Sequence, residues 1–166
     1  REVWNSFYQT LNTCNVVIDR ADKITALDEA VRKKGVAEAM FCRAHYHFIL
    51  TEMFGAVPLR LHENTQIVTE ATRDSVSAIY DAVIKDLLAA EQDLPETQPE
   101  WGRATKPAAE HLLARVYLTR ASSPQAQPTD YANAAKYADM VIKNYGFKLL
   151  DDPGQVWAQG KENNSD

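Results

Sequence analysis

Apolar side chains recur three and four residues apart in five successive stretches of this chain, separated by Gly, Pro or polar runs. That interval lines one face of an α-helix; a strand would alternate every second residue. Phe7, Leu11, Cys14, Asn15 and Ile18 make the first stripe and predict a helix over 2–22. Thr25, three residues before Asp28, offers a cap for the next start, although Gly35 reads as an interruption. From Val36 a second stripe through Ala37, Phe41, Ala44, His45 and Phe48 runs to Phe54, where Gly55 can end it with a left-handed backbone. Pro58 then favours an extended arm over 56–61, and the threonine-rich 64–72 reads as loop, with enough Val and Ile to leave a short strand open.

A third helix starts near Asp74 and repeats Val76, Ile79, Tyr80, Val83, Leu87, Ala90 and Leu94 at core spacing until Pro95 breaks it. Its opposite face carries Lys85, Asp86 and Glu91, expected to be solvated. Thr105 with Pro107 starts a fourth, burying Ala109, Leu112, Leu113, Val116 and Tyr117. After the Ser/Gln/Pro-rich 121–129, Tyr131, Ala134, Ala135, Ala138, Val141 and Ile142 mark a fifth, ended by Gly146. Small alanines beside Tyr and Leu favour close antiparallel packing, and the pair over 105–145 resembles one tetratricopeptide unit. The expectation is an all-α fold of tetratricopeptide-like antiparallel helical repeats with a short extended arm, in one domain of 166 residues.

Charge and composition exclude several roles. With 18 basic and 23 acidic side chains the net charge is −5, which gives no electrostatic grip on a nucleic acid. Two cysteines cannot staple a disulfide framework, and Cys14 and Cys42 read as small hydrophobes in apolar segments, a bridge between them remaining open. No window holds twenty apolar residues, and no signal peptide opens the chain. The start at Arg1, followed by Val3, Trp4, Phe7 and Tyr8, reads as a cut inside a larger protein.

Catalytic and metal signatures are missing from the pattern: the glycines are isolated, and His45 and His47 lie two apart, so one helix cannot aim both at one ion. Neither a metal nor a cofactor is expected. Arg43 reads as an architectural cation with Glu52 or nearby carbonyls as its partners, while Arg115 and Arg120 belong to a surface ion network. The sugar-compatible residues are aromatics beside amides, since a ring can stack on an apolar C–H face while amides meet hydroxyls. Trp4 with Asn5, Trp101 beside Arg103, and Trp157 with Gln155 or Gln159 have that chemistry.

Longer blocks carry a resemblance: Asn12, Asn15 and Ile18; Arg43-Ala44-His45-Tyr46 with Phe48; Phe54-Gly55-Ala56-Val57-Pro58-Leu59; Arg73-Asp74-Ser75-Val76 with Tyr80 and Asp86-Leu87; and Gly102-Arg103-Ala104-Thr105 leading into Leu112-Leu113-Ala114-Arg115-Val116-Tyr117-Leu118. In their order they resemble the SusD/RagB family of surface glycan-binding lipoproteins over most of the chain. The resemblance implies that 1–166 is the helical region of a longer SusD-like parent, whose amino-terminal lipid signal and long carboxy-terminal region are missing here. It further implies a non-enzymatic protein at the cell outer membrane, held by a lipid anchor, that captures a glycan and delivers it to a TonB-dependent SusC-like transporter. Trp4 and Asn5 are the expected ligand contacts, Trp101 and Trp157 further candidates. The alternative is a tetratricopeptide-like protein-interaction scaffold that binds no glycan.

Overall fold

The computed structural model describes residues 2–66, 70–152 and 154. Among the described residues five α-helices follow one another: α1 (Glu2–Arg20), α2 (Glu29–Phe54), α3 (Val76–Asp93), α4 (Lys106–Ala121) and α5 (Asp130–Asn144). No strand occurs among the described residues, and the loop at 64–66 and 70–72 carries neither helix nor strand. Each helix packs on the next in sequence, so the molecule is a stack of antiparallel pairs. The main core runs through the stack from Leu11 on α1, through Phe48, Leu50, Ile79, Val83 and Leu87, to Leu113, Val116 and Tyr137.

The helix ends follow side-chain chemistry. Asp28, not Thr25, caps α2 by accepting the Ala30 N–H at 2.8 Å. Ser75 and Thr105 cap α3 and α4 in the same way, accepting from Ala78 and Ala108. Beyond Arg20 the first helix tightens into a 3-10 turn at Ala21–Lys23 instead of remaining α-helical to residue 22.

Several expectations are corrected. Gly35 does not interrupt anything; it lies inside a continuous helix of 26 residues. A lone mid-helix Gly lowers stability by about 1 kcal/mol, far less than the packing of the stripe that follows it supplies. Asp86 and Glu91 are buried, because α3 is sandwiched between α2 and α4 and has little free face. On α5 the inward row is Asp130, Ala134 and Tyr137, while Tyr131, Ala135, Ala138 and Ile142 face outward. There the buried Arg120–Asp130 pair and the stacked Tyr117 and Tyr137 rings, 6.0 Å apart, set the rotation. Arg120 is thus a buried cation, bound bidentately by Asp130 and also by Asp81. Cys14 and Cys42 are free thiols, and burial pushes the Cys14 thiol up to about 11.

Candidate functional site

The arm that leaves α2 has no strand to pair with, so its backbone needs side-chain partners. It finds them in seven: Arg43, Asn15, His47, Tyr8, Asp74, Asp19 and Asn12. Arg43 grips Asp86 with two parallel bonds, Nε to Oδ2 at 2.7 Å and Nη2 to Oδ1 at 2.8 Å. Its remaining Nη1 donates to the Leu61 carbonyl at 2.8 Å and to Asn15 Oδ1 at 2.9 Å. Glu52, the carboxylate among its expected partners, instead accepts the Tyr80 hydroxyl at 2.7 Å. Asn15, fully buried on α1, donates from its amide to the Arg60 and His62 carbonyls at 3.0 and 2.9 Å.

His47, 1% exposed, closes the arrangement. The Arg60 N–H donates to Nε2 at 3.3 Å and Nδ1 lies 3.1 Å from the Arg43 carbonyl, which fixes the neutral tautomer with its proton on Nδ1. Burial holds this imidazole down at about 4. On the other side Tyr8 donates to the Pro58 carbonyl at 2.8 Å, and Asp74 accepts the Leu59 N–H at 2.8 Å. Further along, Asp19 accepts from Glu63 N and Asn12 from Asn64 N, both at 2.7 Å. The Glu63 N–H holds the Asp19 carboxyl below its usual range.

With the arm pinned along α1, a groove of about 460 Å³ forms between them. From α1 it is lined by Trp4, Asn5, Tyr8, Gln9, Asn12 and Asn15, and from the arm by Arg60, His62 and Asn64. Trp4 is held rather than loose: its ring lies 4.9 Å from Tyr8 and 5.2 Å from Phe54, edge-on to the latter. Asn5 stands exposed beside it. Burial raises the Tyr8 hydroxyl to about 12, so it remains a neutral donor at neutral pH. The groove therefore offers aromatic surface, amides, a guanidinium and an imidazole in one concavity, with no carboxylate in its lining. Among the described residues no three His, Cys, Asp or Glu side chains are grouped to hold a metal ion.

Trp101, 72% exposed on a turn completed by Gly102, is not part of this groove. Trp157, with Gln155 and Gln159, lies outside the described residues. Tyr8, Gln9, Arg60, His62 and Asn64 line the groove without having been singled out as site residues. A signal for two of them was present, since Tyr8 and Gln9 follow Trp4 and Asn5 by four and share their helix face.

A family model described as starch-binding and associating with the outer membrane matches residues 1–118. The chain belongs to the SusD-like family. It is 30% identical to a SusD-like protein of Bacteroides ovatus over 170 aligned positions, 98% of this chain and 31% of that one. It is also 28% identical to the starch-binding protein SusD of Bacteroides thetaiotaomicron, over 90% of this chain and 26% of that protein. Among solved structures, a SusD superfamily protein from Parabacteroides distasonis superposes with a TM-score of 0.86 at 34% identity, covering 93% of this chain and 33% of that one. A laminarin-binding SusD-like protein superposes at 0.88 with 28% identity, covering 99% and 36%. The chain thus spans about a third of the length of the SusD-like relatives it matches.

Proposed function

We propose that the parent of this chain is a non-enzymatic glycan-capture protein at the outer-membrane surface, and that these residues supply its helical scaffold and one wall of the binding site. The observation that carries the reading is the groove between α1 and the pinned arm, where Trp4 and Tyr8 stand beside Asn5, Gln9, Asn12 and Arg60. Aromatic faces accept the C–H surface of a sugar while amides and a guanidinium meet its hydroxyls, so the site holds a neutral polyol without attacking it. The names of the relatives support the class of ligand, one being starch-binding and another laminarin-binding. Delivery to a TonB-dependent SusC-like transporter and a lipid anchor on the parent complete the reading by family resemblance. Trp4 is the principal contact and Asn5 the second; Trp101, as an exposed platform, and Trp157 are subsidiary contacts.

A panel of soluble glycans titrated against the full-length protein tests this directly. Saturable binding without cleavage products is expected for at least one glycan. Replacing Trp4 by Ala should weaken it about tenfold or more, equivalent to ~1.4 kcal/mol. Absence of binding across the panel would sink glycan capture, whereas unchanged affinity in a folded Trp4→Ala protein would remove that residue alone from the site.

A further inference from the structure

On the other side of α1, where it turns into α2, four aliphatic side chains stand open to solvent: Val17 at 40% exposure, Ile24 at 45%, Leu27 at 50% and Val31 at 52%. They line one groove of about 530 Å³, between the end of α1, the connecting turn and the first half of α2. Exposed aliphatics scattered singly need no explanation, but four around one concavity make a contiguous patch of the kind that marks an interaction surface.

Gly35 lines the same groove. A Cβ built there meets nothing within 4 Å, and its φ is not positive. The protein's own packing therefore gives no reason for glycine in mid-helix, where it lowers helix stability. A gap in the side-chain surface at that point lets another backbone come close to α2.

The lining also sets the sign of the partner. It holds Arg20, Arg32, Lys34 and Arg103 against one carboxylate, Glu38, in a chain whose net charge is −5. Arg20 pairs with Glu63, Arg32 with Asp22 at 3.4 Å, and Arg103 with Glu38 and Glu100. Arg20 and Arg103 each hold a mostly buried carboxylate with two bonds, whereas the Arg32–Asp22 contact is long and its carboxylate almost fully exposed, so Arg32 and Lys34 are the rim cations open to a partner's carboxylates. Lys34 has no ion-pair partner among the described residues.

We propose that this groove receives an acidic amphipathic helix of a partner protein, with its aliphatic face on Val17, Ile24, Leu27 and Val31, its closest approach over Gly35 and its carboxylates on the cationic rim. This is a helix-in-groove contact, with apolar anchors at helical spacing and charge fixing the choice of partner. It is separate from the glycan groove and stands whether or not that groove binds sugar.

The test uses the full-length protein and two labelled helical peptides of about 18 residues, both with Leu along one face, one flanked by Glu and the other by Lys. The Glu peptide should bind saturably and weaken as salt rises, with the Lys peptide about tenfold weaker or worse. Leu27→Asp and Val31→Asp should abolish binding, and Gly35→Leu should weaken it about tenfold with helix content unchanged. If an Asp variant loses helix content, Gly35→Leu and the Lys peptide still decide. No saturable binding, equal binding of both peptides, or indifference to Gly35→Leu overturns the proposal. Self-association that disappears in Val31→Asp overturns it as well, because the occupant is then a second copy.

Discussion

Arg43 is the residue on which the arm depends. It joins α2 to Asp86 on α3, Asn15 on α1 and the Leu61 carbonyl, using the two edges of one buried guanidinium. Removing it leaves the Asp86 carboxylate buried and unpaired, so Arg43→Met should lower stability by about 3–5 kcal/mol in denaturant unfolding. The double variant Arg43→Met/Asp86→Leu should recover part of that loss, since the orphaned charge is gone. His47 gives a pH signature. Its folded value of about 4 lies below the ordinary 6.5, so the unfolded chain takes up the proton first. Its contribution is complete above pH 6.5 and is lost as pH falls toward 4, by about 3 kcal/mol in all. His47→Gln should flatten that slope in unfolding curves measured between pH 7.5 and 4. The motif block was legible as a block, but the geometry was not: nothing in local spacing says that Arg43 reaches Asp86, 43 residues away, rather than Glu52.

At the scale of elements, the glycine inside α2 and the one that ends it behave oppositely. Gly55 follows the last helical residue with φ +70° and ψ −129°, a conformation that a side chain strains, so Gly55→Ala should destabilise by about 1–3 kcal/mol. Gly35 has ordinary helical backbone and open space around it, so Gly35→Ala should stabilise by about 1 kcal/mol. Thermal unfolding of the two variants should move Tm in opposite directions; a fall in both would mean that Gly35 has a packing role inside the protein. The sequence stripes located α1, α3 and α4 because their apolar residues recur at helical spacing, but the stripe of α3 did not show that its other face, with Asp86 and Glu91, is buried too. They located α5 and its buried Ala134 as well but missed its rotation, since Tyr137 and Asp130 face inward and the apolar Tyr131 and Ile142 face out. A short helix with partners on one side takes its rotation from a few strong contacts, here Arg120 to Asp130, and periodicity does not contain those. Likewise the groove proposed to bind glycan was visible as Trp4 and Asn5 on α1, but its arm wall depends on where a chain without regular structure is tied, which only the buried partners decide.

For the whole molecule, the decisive property is that each helix packs mainly on its sequence neighbours, with α1 and α5 at opposite ends of the stack. Such an array is close to one-dimensional, and its stability is a sum of local and nearest-neighbour contributions. Damage at one end need not reach the other until global unfolding. Tyr137→Ala removes the ring stacked on Tyr117 at the α4–α5 end, a loss of about 3 kcal/mol for a buried aromatic, while the arm fastened to α1 and α2 keeps every bond described above. Hydrogen exchange should then show α5 and the second half of α4 opening more readily, with amides in α1 and the arm as protected as before. Glycan affinity should be unchanged under the same conditions, because the groove is built at the far end. Arg43→Met should give the contrary pattern, exposing the arm amides and weakening glycan binding while α5 keeps its protection. A uniform loss of protection in both variants would mean that the stack unfolds as a single cooperative unit and that the groove draws its rigidity from all five helices.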